Sequence, residues 1–277
     1  MEDPTRQDLE RLAPWHFDVE LGNGLRTTDG NPAASERVPV VDPNELFQVM
    51  RRVFPEGLGG RSLLDVGCNG GAYCLLAHQM GAGHTYGFDS RQHWIDQAEF
   101  LVRHFGIDGA RFETKSLHEV VFDRDYDVCI FKGILYHLPD PVHALQEVCS
   151  RTREMIVVDS ETDGERGDLC FRLNPEGTVS LMTGMHGLAW WPSGPDLIAE
   201  VLVRLGFPAI REVFWRPNNA GNRARPGRCR VVAARDEATF RHFDRRPAGE
   251  RSPAGRKAGE GARAPGKAGR GWLGLRR

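Results

Sequence analysis

The stretch "LLDVGCNGGAYCLLAHQMGA", residues 63–82, decides how this chain is read. An apolar run ends in Asp65, passes through Gly67-Cys68-Asn69-Gly70-Gly71 and becomes a helical pattern over Ala72 to Met80. A strand that feeds a helix through a glycine-rich turn aims the free N–H groups of the helix start at whatever lies beyond the strand's carboxyl end. Glycine lets the backbone approach that ligand closely, and Asn69 is the residue type that best replaces glycine in a left-handed turn. The spacing is not G-x-G-x-x-G and no lysine follows the turn, which weakens dinucleotide and P-loop readings.

Outward from this turn, strand patterns recur at Ser62 to Val66, His84 to Phe88, Ala110 to Thr114, Tyr126 to Phe131, Met155 to Val158, Ile210 to Trp215 and Cys229 to Ala233. Helical patterns lie between the early ones, over 72–80, 91–105 and 142–150, with Trp94, Ala98, Leu101 and Phe105 on one face of the second. Alternating strands and helices predict an α/β fold: a doubly wound, mostly parallel, seven-stranded Rossmann-like sheet. The last two strands are joined without a helix, which predicts an antiparallel hairpin at the C-terminal end of the sheet.

Three regions follow: an N-terminal cap or substrate-side segment (1–58) with a helix near Asn44 to Val53, a catalytic domain (59–236), and a basic tail (237–277). The tail is rich in Gly, Ala, Pro and Arg without apolar periodicity, so it is expected to be disordered. Eleven of the 36 Lys/Arg and three of the 38 Asp/Glu fall in Arg241 to Arg277. The chain before it keeps 25 basic against 35 acidic residues and carries a formal charge of −10.

No run approaches the length of a membrane span, and the acidic start "MEDPTRQDLE" is unlike a signal peptide, so a cytoplasmic location without membrane contact is expected. The six cysteines show neither C-x-x-C pairing nor zinc spacing and read as reduced core residues, with no metal expected.

Asp65 beside the turn would repel a pyrophosphate but suits a cationic ligand that donates hydrogen bonds. Asp89 ends the next strand, where a carboxylate typically receives ribose hydroxyls. Ser116 and Leu117 follow the third strand, where a backbone N–H and an apolar side chain suit an adenine. An adenosine with a positively charged amino-acid head is S-adenosylmethionine. The chain here resembles the class I S-adenosylmethionine-dependent methyltransferases, with "LLDVGCNGGAYC" similar to motif I, "GFDS" to motif II and "DVCIFKGILYHLPDP" to motif IV. The resemblance covers roughly residues 60–160. It implies donor contacts from Asp65, Gly67, Asn69, Gly71, Asp89, Ser116, Leu117 and Lys132.

On the acceptor side, Tyr136 and His137 follow the motif IV strand and are the candidate catalytic residues. His137 is a base suited to neutral pH if the acceptor holds its proton, and Tyr136 an orienting group. Trp190 and Trp191 offer flat surfaces to a planar acceptor. "WHFDVELGNGLRTTDG", "GILYHLPDP" and "WWPS" with the following "LGF" resemble the branch that carboxymethylates the wobble uridine of tRNA from carboxy-S-adenosylmethionine. In that branch an upstream lysine, the motif IV tyrosine and a late arginine grip the donor's extra carboxylate. Tyr136 and Arg228 match the last two, whereas the first lysine of this chain is Lys115, after motif I. That gap, with the acidic body, predicts plain S-adenosylmethionine as cofactor and O- or N-methylation of a small molecule. A tRNA wobble-uridine enzyme and a non-catalytic partner subunit stand as alternatives.

Overall fold

The computed structural model describes residues 4–32, 38–217 and 226–244. The parts of the basic tail and of the arginine cluster at 218–225 lie outside them. In chain order the elements are α1 (Pro4–Arg11), β1 (Glu20–Gly22), β2 (Leu25–Arg26), α2 (Asn44–Val53), β3 (Ser62–Val66), α3 (Ala72–Gln79), β4 (His84–Asp89), α4 (Gln92–Phe105) and β5 (Ala110–Thr114). Then come β6 (Tyr126–Lys132), α5 (Pro141–Ser150), β7 (Thr152–Thr162), β8 (Phe171–Pro175), β9 (Leu188–Pro192), α6 (Pro195–Arg204), β10 (Ala209–Arg216) and β11 (Gly227–Ala234).

Seven strands form one sheet in the order β10-β11-β7-β6-β3-β4-β5. Strands β3 to β7 run parallel, while β11 is antiparallel to both β7 and β10, the expected C-terminal hairpin. The order reverses between β3 and β6, so the crevice at their carboxyl ends is the sheet's switch point, where an open α/β sheet binds ligand. The register aligns four strand ends there: Val66 beside Phe88 and Phe131, and Lys132 beside Asp159.

The buried faces of β3, β6 and β7 alternate between two apolar layers. One holds Leu63, Val128, Ile130 and Val157 with α3 and the N-terminal segment, and the other Leu64, Cys129, Phe131 and Val158 with α5 and α6. From the N-terminal segment, Leu9, Trp15, Phe47 and Met50 are buried in the first layer. Residues 237–244, assigned by sequence to the tail, fold onto the body, because Phe240 and Phe243 are buried and Arg211 donates to Asp244. The two-stranded sheet of β8 and β9 was not read from the sequence at all. Cys68, Cys74, Cys129, Cys149 and Cys229 are free and buried, as expected.

Candidate active site

A cavity of about 930 Å³ opens over the switch point. Its donor-side wall begins with the turn after β3. Gly67 and Asn69 hold φ of 67° and 49°, the left-handed conformations that the sequence implied. A Cβ on Gly67 would lie 3.1 Å from Ile134, so glycine also lets the β3 and β6 loops close together. Asp89 accepts the Asn69 N–H through Oδ2 at 3.1 Å and the Arg91 N–H through Oδ1 at 3.1 Å. Those bonds tie motif II to motif I, and Asp89 lines the cavity. Burial, working against these N–H contacts, pushes Asp89 up to about 6. Leu117 lines the same wall.

Gly71 and Ser116 lack the geometry of direct donor contacts, and Asp65 lies beneath the cavity lining. Gly71 does not line the cavity: it stands at the N-terminus of α3 with φ 73°, and a Cβ there would meet Ala98 at 2.6 Å and Phe112 at 3.0 Å. The Ser116 N–H is taken by Glu119 Oε2 at 2.8 Å in a capping box, so Ser116 lines the wall without a free N–H. Asp65 lies behind the cavity lining, fully buried, with Oδ2 unpartnered among the described residues. Burial, against the pull of Lys132 and with the push of Asp89, raises its pKa to about 8. An orphaned carboxyl under a glycine turn fits a ligand that brings positive charge above it.

The opposite wall is cationic. Lys132 ends β6, and Arg228 and Arg230 alternate on β11, two strands away across β7. Asp159, with no exposure, holds both arginines: Oδ1 accepts from Arg228 Nε at 2.7 Å and Oδ2 from Arg230 Nε at 2.7 Å. Lys132 Nζ lies 5.3 Å from the Tyr73 ring centroid and has no carboxylate within ion-pair distance among the described residues. Burial, opposed by Asp159 and assisted by Arg228 and Arg230, brings the Lys132 ammonium down to about 8. Burial likewise raises the Tyr136 phenol above its usual range.

His137 lines the cavity with its Nδ1 2.8 Å from the Glu176 carboxylate, and its ring is tilted against Tyr136 at 4.1 Å. Trp191 lies edge-on to Tyr136 at 6.0 Å. Trp190 is outside the cavity lining, because successive residues of β9 point to opposite faces. Sequence reasoning missed Asp159, Arg230 and Glu176. The acid in "VVDS" on another strand was the available signal for Asp159, whereas Glu176 had none.

Residues 59–174 match the family model described as a methyltransferase domain. The match spans less than half of the chain, and the seven-stranded order with its switch-point cavity is the Rossmann-like architecture expected from the sequence. Among curated relatives, the chain is 29% identical over 132 residues to the tRNA U34 carboxymethyltransferase of Campylobacter curvus, covering 47% of this chain and 43% of that protein. It is 25% identical over 214 residues to the protein of the same name from Aliarcobacter butzleri, covering 74% and 62%. The chain thus spans less than two thirds of the length of these relatives. Among solved structures, the N-terminal domain of EvdMO1 with SAH bound superposes with a TM-score of 0.67 at 18% identity, over 84% of this chain and 98% of that one, a likeness of fold. No described helix is long and apolar enough to cross a membrane.

Proposed function

We propose that the chain transfers a carboxymethyl group from the carboxylated form of S-adenosylmethionine to a hydroxyl on a tRNA wobble uridine. The observation that carries the reading is Lys132, a half-buried cation with no carboxylate within ion-pair distance among the described residues, lining the same cavity as Arg228 and Tyr136. The names of the relatives support it from a separate direction. The absence of a lysine before motif I argued from sequence for plain S-adenosylmethionine. Lys132 supplies a cation from within motif IV instead, and a desolvated ammonium is best satisfied by a carboxylate.

The residues fit such a donor: Gly67 and Asn69 give close backbone approach, Asp89 has oxygen capacity for hydroxyls, Leu117 offers an apolar contact, and Asp65 awaits a positive charge. When bound, the donor supplies an electrophilic carbon on a sulfonium, and the protein's task is alignment and exclusion of water. Tyr136 and Trp191 frame the acceptor, and His137 takes its proton. A small-molecule acceptor is the second reading, favoured by the −10 charge of the chain before Arg241.

Mass spectrometry of ligand retained on the purified protein, followed by calorimetry with both donors, tests the donor. Tighter binding of the carboxylated form, with transfer to hydroxylated tRNA, is the expected result. Preference for plain S-adenosylmethionine with labelling of metabolites alone overturns it in favour of the second reading.

A further inference from the structure

We propose that Glu176 is the positioning residue of the acceptor-side base, fixing His137 so that its Nε2 takes the proton of the acceptor hydroxyl. This rests on the reading that the acceptor is a hydroxyl group. Glu176 follows β8, 39 positions from His137, and both its oxygens lie 2.8 Å from Nδ1. The two side chains are only 15–16% exposed, so the pair is little screened by water. Within the described residues Nε2 makes no hydrogen bond, and His137 lines the cavity.

The carboxylate is itself held. Gly184 donates its N–H to Glu176 Oε2 at 3.0 Å, and a Cβ on Gly184 would lie 2.8 Å from the His137 carbonyl and 2.9 Å from Oε2. Only a residue without a side chain lets this loop close on His137. From the other side Arg91 Nη2 donates to the carbonyls of Ser180 at 2.9 Å and Thr183 at 2.8 Å. The Arg91 N–H is bonded to Asp89, so the segment carrying Glu176 is pinned to the donor wall as well as to the acceptor base.

A carboxylate that accepts from Nδ1–H leaves the lone pair on Nε2 and stabilises the imidazolium that forms when Nε2 is protonated. In the step, the acceptor O–H bond breaks with its proton passing to Nε2. The oxygen's electron pair forms the new C–O bond, and the C–S pair returns to sulfur, which leaves as a neutral thioether. Four other titratable groups line the same cavity. Glu161 on β7 is turned toward Arg228 at 3.7 Å, Tyr136 is kept protonated by burial, and the His118–His186 pair lines the same cavity. Among the described residues, Glu176 alone is at hydrogen-bond distance of Nδ1.

The full chain, labelled with 15N-histidine, reports the tautomer directly. A protonated Nδ1 on His137 is expected, lost in Glu176→Ala and kept in part in Glu176→Gln, whose amide oxygen still accepts. In single-turnover transfer, Glu176→Ala should lower the rate by about 10²–10⁴-fold with donor Kd unchanged, Glu176→Gln should fall between, and the acid limb of the pH–rate profile should move. An Nε2–H tautomer in the wild type, or an Ala variant with wild-type rate, overturns the assignment. The spectra decide it even where the wild-type protein transfers nothing to tRNA, an outcome that would instead count against the acceptor reading.

Discussion

Arg228 and Asp159, 69 positions apart, are joined by a 2.7 Å hydrogen bond from Nε to a carboxylate with no exposure, and Arg230 occupies the other oxygen of that carboxylate. One acid thereby sets the position of two cations on the cavity wall. Its negative charge also lets them share a buried corner with Lys132.

Removing that acid should be costly in two respects. Asp159→Asn removes the carboxylate charge that joins the guanidinium groups of Arg228 and Arg230 beside Lys132, and about 3–5 kcal/mol of stability should be lost in urea denaturation. A loss under about 1 kcal/mol, the range of an exposed pair, would show that the corner is solvated.

Lys132→Met tests the donor reading. Its ammonium has a pKa depressed to about 8, so the charged form prevails below that pH and disappears above it. Affinity for a carboxylated donor should therefore fall as pH rises through about 8, and the methionine variant should bind weakly at every pH without that dependence. Affinity for plain S-adenosylmethionine should hold. For stability the sign is opposite: a depressed lysine pKa destabilises the fold as pH drops through about 8, so the variant should melt higher than wild type at pH 7. Calorimetry across pH 6.5–9.5 and thermal denaturation at both ends check the two halves.

Asp65→Asn addresses the orphaned carboxyl. A folded-state pKa raised to about 8 means that stability present at low pH is lost progressively as pH rises from the ordinary carboxyl range through about 8. The asparagine variant has no such loss. Its melting temperature should match wild type near about pH 3, where Asp65 holds its proton folded or unfolded, and exceed it by at least about 2–4 °C at pH 8.5, while its donor affinity falls. Parallel melting curves at all pH values would contradict the burial of an unpaired acid.

The central strands were legible because a parallel strand is covered on both faces and reads as an apolar run, as "SLLDV" and "DVCIF" do. The motif I turn was legible because left-handed positions select Gly and Asn, and Gly67 and Asn69 adopt them. The β8–β9 pair was not, since "FRLNP" is short and its alternation of Phe171 and Leu173 with polar residues buries no face, Leu173 being exposed. Trp190 and Trp191 looked equivalent as neighbours, yet the pleat of β9 leaves only Trp191 in the cavity lining.

Local physics, written into short stretches, determined the sheet, the donor turn and the residue types at the strand ends. Hydrophobic periodicity and backbone stereochemistry act over a few residues and need no partner from elsewhere. Only the tertiary structure decided which charges meet. Asp159 reaches Arg228 and Arg230 through the antiparallel register of β7 and β11, and Glu176 reaches His137 across a loop. Electrostatic pairing depends on distances of a few ångströms between residues remote in the chain. That is why the sequence could name Lys132 as a donor contact without showing that no carboxylate among the described residues lies within ion-pair distance of it.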